Sequence, residues 1–86
     1  MDSAEQKKMI LDVLVGLELV NDKQKTDLLD GRIEDLDFAS MGIDSMKVID
    51  LCVGLEERVG REVEVEELIE NPTVGRLADH FTRERV

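Results

Sequence analysis

Ser45 directly follows Asp44 where a loop-like stretch, Phe38-Ala39-Ser40-Met41-Gly42-Ile43, gives way to a run with helical apolar spacing. A carboxylate at such a point accepts from the unpaired N–H groups one turn into a helix, which makes Asp44 an N-cap. Gly42 frees the backbone for a tight approach just before it. The Ser45 hydroxyl then falls in the first helical turn. Unpaired N–H groups and the macrodipole favour negative charge there, so the position suits a phosphate ester. An Asp-Ser pair ahead of an apolar run is, taken alone, ordinary capping. The surrounding sequence has to separate the two readings.

Other residues with chemical potential lead nowhere. His80 is the single histidine and lies off the apolar stripe of its helix, which gives it a solvated surface role. Cys52 falls on an apolar stripe, and a buried thiol lacks the electropositive, accessible setting that activates cysteine. Without clustered Cys and His there is no zinc site. The acids of residues 62–70 lack the Asp/Asn spacing and central Gly of an EF-hand loop. No Ser–His–acid arrangement follows from one histidine, so catalysis is not expected.

Eighty-six residues suffice for one domain (1–86) with a small core but no deep cleft. Two Phe, with no Trp or Tyr, leave an aliphatic core, and abundant Leu, Glu and Asp favour helices over a sheet. One cysteine cannot form an internal disulfide, which points to the cytoplasm. The first residues lack the order of a signal peptide, and no run reaches membrane-spanning length. The net charge of −10 argues against nucleic acid or an anionic membrane as partner. Residues 44–70 hold nine acids against Lys47, Arg58 and Arg61, a local balance of −6. Such a face serves solubility, and it also suits docking onto basic patches of partner proteins.

The elements that must position Ser45 are helical. Ser3 and Gln6 have capping-box spacing, and Ile10, Val13, Leu14 and Leu17 then mark a first helix over residues 4–19. A long connection over residues 20–43 carries a short helical turn from Thr26 to Asp30. Leu28, Leu29, Ile33, Leu36, Phe38 and Met41 tack it to the core. The second helix runs from Ser45 to Val59 and stops at Gly60, a C′ residue. Val63, Val65, Leu68 and Ile69 form a short third helix or turn. The alternation over residues 62–66 is not read as a strand, because it has no partner. Asn71-Pro72-Thr73 breaks the chain and caps a last helix with Val74, Leu77, Ala78 and Phe81 on one stripe. The expected fold is all-α: a small bundle of three main helices plus one short helix, with a long first loop.

On the second helix, Val48, Leu51, Cys52, Leu55 and Val59 share the core-facing direction. Met46, Ile49 and Val53 form another cluster roughly 130° away. Asp50 and Glu57 border that cluster on one side and Glu56 on the other. An apolar strip rimmed by acids is the composition of a partner-binding surface. The alternative is that the long loop folds over it.

In this order and spacing, the features resemble the acyl carrier proteins and their aminoacyl and peptidyl relatives over roughly residues 5–82. The family pattern of an aromatic followed by Leu-Gly-x-Asp-Ser-Leu stands here as Phe38 and Met41-Gly42-Ile43-Asp44-Ser45-Met46. Its later helix entry stands as Pro72-Thr73-Val74 with Leu77-Ala78. The resemblance implies 4′-phosphopantetheine esterified to Ser45, carrying an acyl or aminoacyl group as a thioester. It implies as partners a phosphopantetheinyl transferase, a loading ligase or transferase, and downstream acyl-using enzymes. It implies a partner face of Asp44, Met46, Ile49, Asp50, Val53, Glu56 and Glu57, on a monomer that catalyses nothing. Lys47 departs from the acidic or neutral residue common beside the serine. Ile43-Asp44 leans toward an acyl-type carrier, although stand-alone aminoacyl carriers share Asp-Ser. A start at Met1 and an end just after the last helix imply a free-standing carrier. The competing expectation is an unmodified, carrier-like adaptor acting through its acidic face.

Overall fold

Leu, Val and Ile recur at helical spacing along nearly the whole chain, and helices are what form. The computed structural model describes residues 3–84. It contains α1 (Ser3–Gly16), α2 (Asp22–Leu29), a 3-10 turn at Ala39–Met41, α3 (Ser45–Val59), α4 (Val65–Glu70) and α5 (Val74–Glu84). This is the all-α bundle expected, with one more helix than the sequence pattern marked. Residues 62–66 form no strand. Among the described residues the extended pairing amounts to one antiparallel bridge, Asp37 with Thr73. The cap assigned to Ser3 rests on a side chain outside the described residues.

One core unites the helices. Ile10, Leu11 and Leu14 of α1, Leu51 and Leu55 of α3, and Val74, Leu77 and Phe81 of α5 are buried together. A fully buried side chain of this kind contributes about 1.5–3 kcal/mol. Val48 and Val59, at the margins of the α3 stripe, are only partly covered. Gly54 lets α1 and α3 approach closely, since a Cβ there would stand 2.7 Å from Val13 Cγ1. Within the described residues no helix is long and apolar enough to cross a membrane.

Two boundaries differ from expectation. Helix α1 ends at Gly16 although Leu17 and Leu19 prolong its apolar pattern. Glu18 turns left-handed (φ 62°), and its N–H donates to Val15 O (3.0 Å) while Leu19 N–H donates to Leu14 O (3.0 Å). These are the paired bonds of a Schellman C-cap, with glutamate where glycine is usual. Helix α2 starts earlier than the turn placed at residues 26–30. Asn21 Oδ1 accepts from Gln24 N–H (2.8 Å), and Gln24 Oε1 accepts from Asn21 N–H (3.1 Å), a reciprocal capping box. Leu28 is its buried residue, whereas Leu29, expected to tack the connection down, is exposed. Lys25 pairs with Asp12 of α1, which seats the helix.

Candidate functional site at the start of helix α3

Asp44 does what its position demands. Its backbone is extended (φ −92°, ψ −179°) and its Oδ1 accepts from Lys47 N–H at 2.9 Å, closing the first turn of α3. Gly42 is left-handed (φ 68°) and turns the chain out of the 3-10 turn toward this cap. Ser45 is therefore the first residue of α3. It is exposed, and its hydroxyl has no hydrogen-bond partner among the described residues. Ser40, the other serine of the loop, has its Oγ donating to Asp37 O at 2.8 Å. No acidic residue lies in the first turn of α3, and Lys47 does.

The second stripe of α3 is open. Met46 is 75%, Ile49 57% and Val53 49% exposed, so the long loop covers none of them. Asp50 and Glu57 are exposed beside the strip. Glu56 differs from the other acids named for that rim. It is half-buried, and its Oε1 accepts from Val63 N–H (3.2 Å), fastening the segment that follows α3. A feature not foreseen is an apolar groove of about 250 Å³ between the 38–43 loop, α3 and α4, lined by Phe38, Ile43, Val48, Leu51, Leu68 and Ile69 among others. Ile69, itself 69% exposed, was the available signal: an isoleucine on so short a helix that faces away from the core.

His80 is not simply solvated. Its Nε2 lies 2.8 Å from Glu67 Oε1 and 3.2 Å from Glu84 Oε1. The three residues bring metal-type ligand atoms together, yet their charge is met from within the chain. Arg61 pairs with Glu67 (2.6 Å) and with Glu84, and its guanidinium lies 5.7 Å from the Phe81 ring centroid. Hydrogen bonding from Arg61, helped by Glu64 N–H and His80 and opposed by burial, holds the Glu67 carboxyl down at about 2. Cys52 is buried, and burial with Glu56 and Glu67 nearby pushes its thiol up, away from reactive thiolate.

Residues 17–81 match the family model described as the phosphopantetheine attachment site. A relative is Nonribosomal peptide synthetase 2 of Gibberella zeae (strain ATCC MYA-4620 / CBS 123657 / FGSC 9075 / NRRL 31084 / PH-1), 40% identical over 44 residues. That alignment takes in 51% of this chain and 1% of that protein, so the chain spans only a small part of the relative's length. No solved structure matches. The residues fit the group the family binds: an unengaged serine hydroxyl stands in open solvent at a helix start whose first turn carries a lysine and no acid. With most of its length matched, this chain belongs to the phosphopantetheine-binding carrier family, whose cofactor is covalent 4′-phosphopantetheine.

Proposed function

We propose that Ser45 carries the 4′-phosphopantetheine and that the chain delivers acyl or aminoacyl groups to partner enzymes. The observation that supports this most is the free, exposed Ser45 hydroxyl at the capped start of α3, directly beside an uncovered apolar strip. Once attached, the group supplies a thiol that holds cargo as a thioester. The chain's own residues provide attachment and address. Asp44 fixes the helix start, Met46, Ile49 and Val53 offer apolar contact, and Asp50 and Glu57 set charge at the rim. In this reading the chain performs no catalysis, since His80 is engaged by two carboxylates and the Cys52 thiol is buried. A cytoplasmic setting, with a transferase and a loading enzyme as partners, belongs to the same proposal.

The direct experiment is intact mass after incubation with a phosphopantetheinyl transferase and coenzyme A. Wild type should gain one phosphopantetheine. Ser45→Ala should keep its helical circular dichroism and gain nothing. Modification persisting in Ser45→Ala, or mapping to Ser40, would overturn the assignment. A wild type that gains no mass would favour the unmodified adaptor.

A further inference from the structure

Asp35 is an exposed residue that ties two distant parts of the chain together outside the bundle core. Its Oδ2 accepts from Thr73 Oγ1 (2.7 Å), and its Oδ1 accepts from Gly75 N–H (2.8 Å) and from Leu36 N–H (2.9 Å). Two of these bonds span 38 and 40 residues. They place a carboxylate on the Gly75 N–H at the start of α5, where the macrodipole favours it. Thr73 Oγ1 in turn accepts from Arg76 N–H (3.1 Å), so the α5 cap and the loop clamp are one unit. Gly75 is shaped for this, because a Cβ there would stand 2.7 Å from Asp35 Oδ2.

What the clamp holds is the approach to Ser45. Beside it the backbone is paired on both sides, Phe38 N–H donating to Pro72 O (2.9 Å) and Val74 N–H to Leu36 O (3.0 Å). Phe38 is thereby set into the core and begins the 3-10 turn. From Phe38 the chain reaches Ser45 through that turn, the left-handed Gly42 and the Asp44 cap. The intervening residues are fastened only lightly: Ala39 and Ser40 are exposed, and Met41 and Ile43 are half-buried.

We propose that Asp35 is a positioning residue for modification at Ser45: by clamping residues 35–38 onto the start of α5, it seats the loop that presents the serine to the transferase. This rests on the assignment of Ser45 made above. Asp35 touches no reacting atom, so its removal should leave the chemical step alone and lower the fraction of chains with the loop seated. A binding-competent fraction that falls raises the apparent constant for the carrier in inverse proportion.

The test is steady-state transfer of phosphopantetheine from coenzyme A to the full chain, with the carrier varied. Asp35→Ala should raise KM for the carrier about tenfold and change kcat less than about twofold, as expected for a depleted competent state. Asp35→Asn keeps an acceptor for Gly75 N–H and should restore most of the loss. Gly75→Ala should raise KM on its own, because its methyl displaces the Asp35 carboxylate. In the Asp35→Ala background the same methyl meets no carboxylate, so the double variant should be no worse than Asp35→Ala. Amide shifts of residues 38–46 should move in Asp35→Ala while those of α1 stay. An unchanged KM in Asp35→Ala, penalties that multiply in the double variant, or loss of helical circular dichroism in Asp35→Ala would overturn the proposal. Failure of the Ser45 assignment would show instead in wild type or in Ser45→Ala, before any Asp35 variant is made.

Discussion

The exposed strip of α3 and the clasp between α4 and α5 both take acids from residues 44–70, the clasp adding Glu84, yet they treat charge in opposite ways. Around the strip, Asp50 and Glu57 stand in solvent without an ion pair among the described residues, beside apolar side chains that nothing covers. At the clasp, Glu67 and Glu84 converge on one arginine and one histidine, and the carboxyl of Glu67 is held far below its ordinary range. A charge count over residues 44–70 cannot separate these uses. The difference lies in reach: an arginine just after α3 can span to α4 and α5, whereas Lys47, at the far end of α3, pairs with no carboxylate among the described residues. Free acids flanking open apolar surface are available to a partner. Paired acids are committed to the fold.

The largest effect should come from reversing the free acids. Asp50→Lys with Glu57→Lys should raise the KM of a loading enzyme for this carrier by roughly tenfold while kcat changes less, because rim charges act mainly on encounter. Added salt should weaken the wild-type interaction in the same assay, as exposed charges are screened beyond about 8 Å at physiological ionic strength. Melting temperature should hardly move. Kinetics indifferent to both salt and reversal would assign the rim to solubility and collapse the distinction between the two regions.

Removing apolar contact from the strip should act next. Met46→Ala and Val53→Ala should slow loading several-fold, as expected of side chains near the centre of an interface. Because Met46 is three-quarters and Val53 about half exposed, their melting temperatures should stay close to wild type. Truncation of a fully buried Met would instead cost about 2–5 kcal/mol and show plainly in a melt. A large melting loss without a loading defect would return these residues to the core.

At the clasp the ranking reverses. Glu67→Gln should lower stability by about 1–2 kcal/mol, the loss of charge-assisted bonds partly open to solvent, and leave loading intact. Glu67 has a depressed folded-state pKa, so its contribution is present above the ordinary carboxylate value of 4.5 and is lost as pH falls toward about 2. Chemical denaturation across that window should show wild type losing stability more steeply than Glu67→Gln. Parallel acid limbs would mean that the ion pairs contribute nothing net.

How much of this was legible in the sequence follows from the range of each interaction. The Asp44 cap, the Gly60 stop and the two stripes of α3 involve residues within a few positions of one another, so spacing alone revealed them. Of helix α2 the sequence marks only a turn at residues 26–30, because Leu28 is its buried residue, which leaves no apolar period to read. Its local signal was the Asn21–Gln24 capping box. The contacts of Asp35 with Gly75, His80 with Glu67 and Glu56 with Val63 join residues 7 to 40 positions apart, which no pattern in the chain encodes. Position on a helical wheel classed Glu56 as rim and His80 as solvent. Packing brought Val63 N–H to the first and Glu67 to the second, whereas Glu84 lies one helical turn from His80 within α5.

The smallest expected effect lies outside both regions and serves as their control. Glu18 adopts φ 62° at the C′ position after α1, a conformation in which a Cβ crowds the neighbouring carbonyl. Glu18→Gly removes that crowding, and the Schellman bonds from Glu18 and Leu19 N–H are backbone bonds that survive the change. Glycine also gives the unfolded chain more freedom, which offsets part of the gain. The net should be a stabilisation of about 0.5–1 kcal/mol, or roughly 2–6 °C in melting temperature for a chain of this size. Neither the loading kinetics nor the acid limb should change, since Glu18 touches neither the strip nor the clasp. A loading defect in this variant would mean that stability at the end of α1 is transmitted to the Ser45 face, and the separation between docking acids and folding acids would then have to include the whole bundle. A melting temperature that does not rise would show that the left-handed turn at Glu18 is not strained.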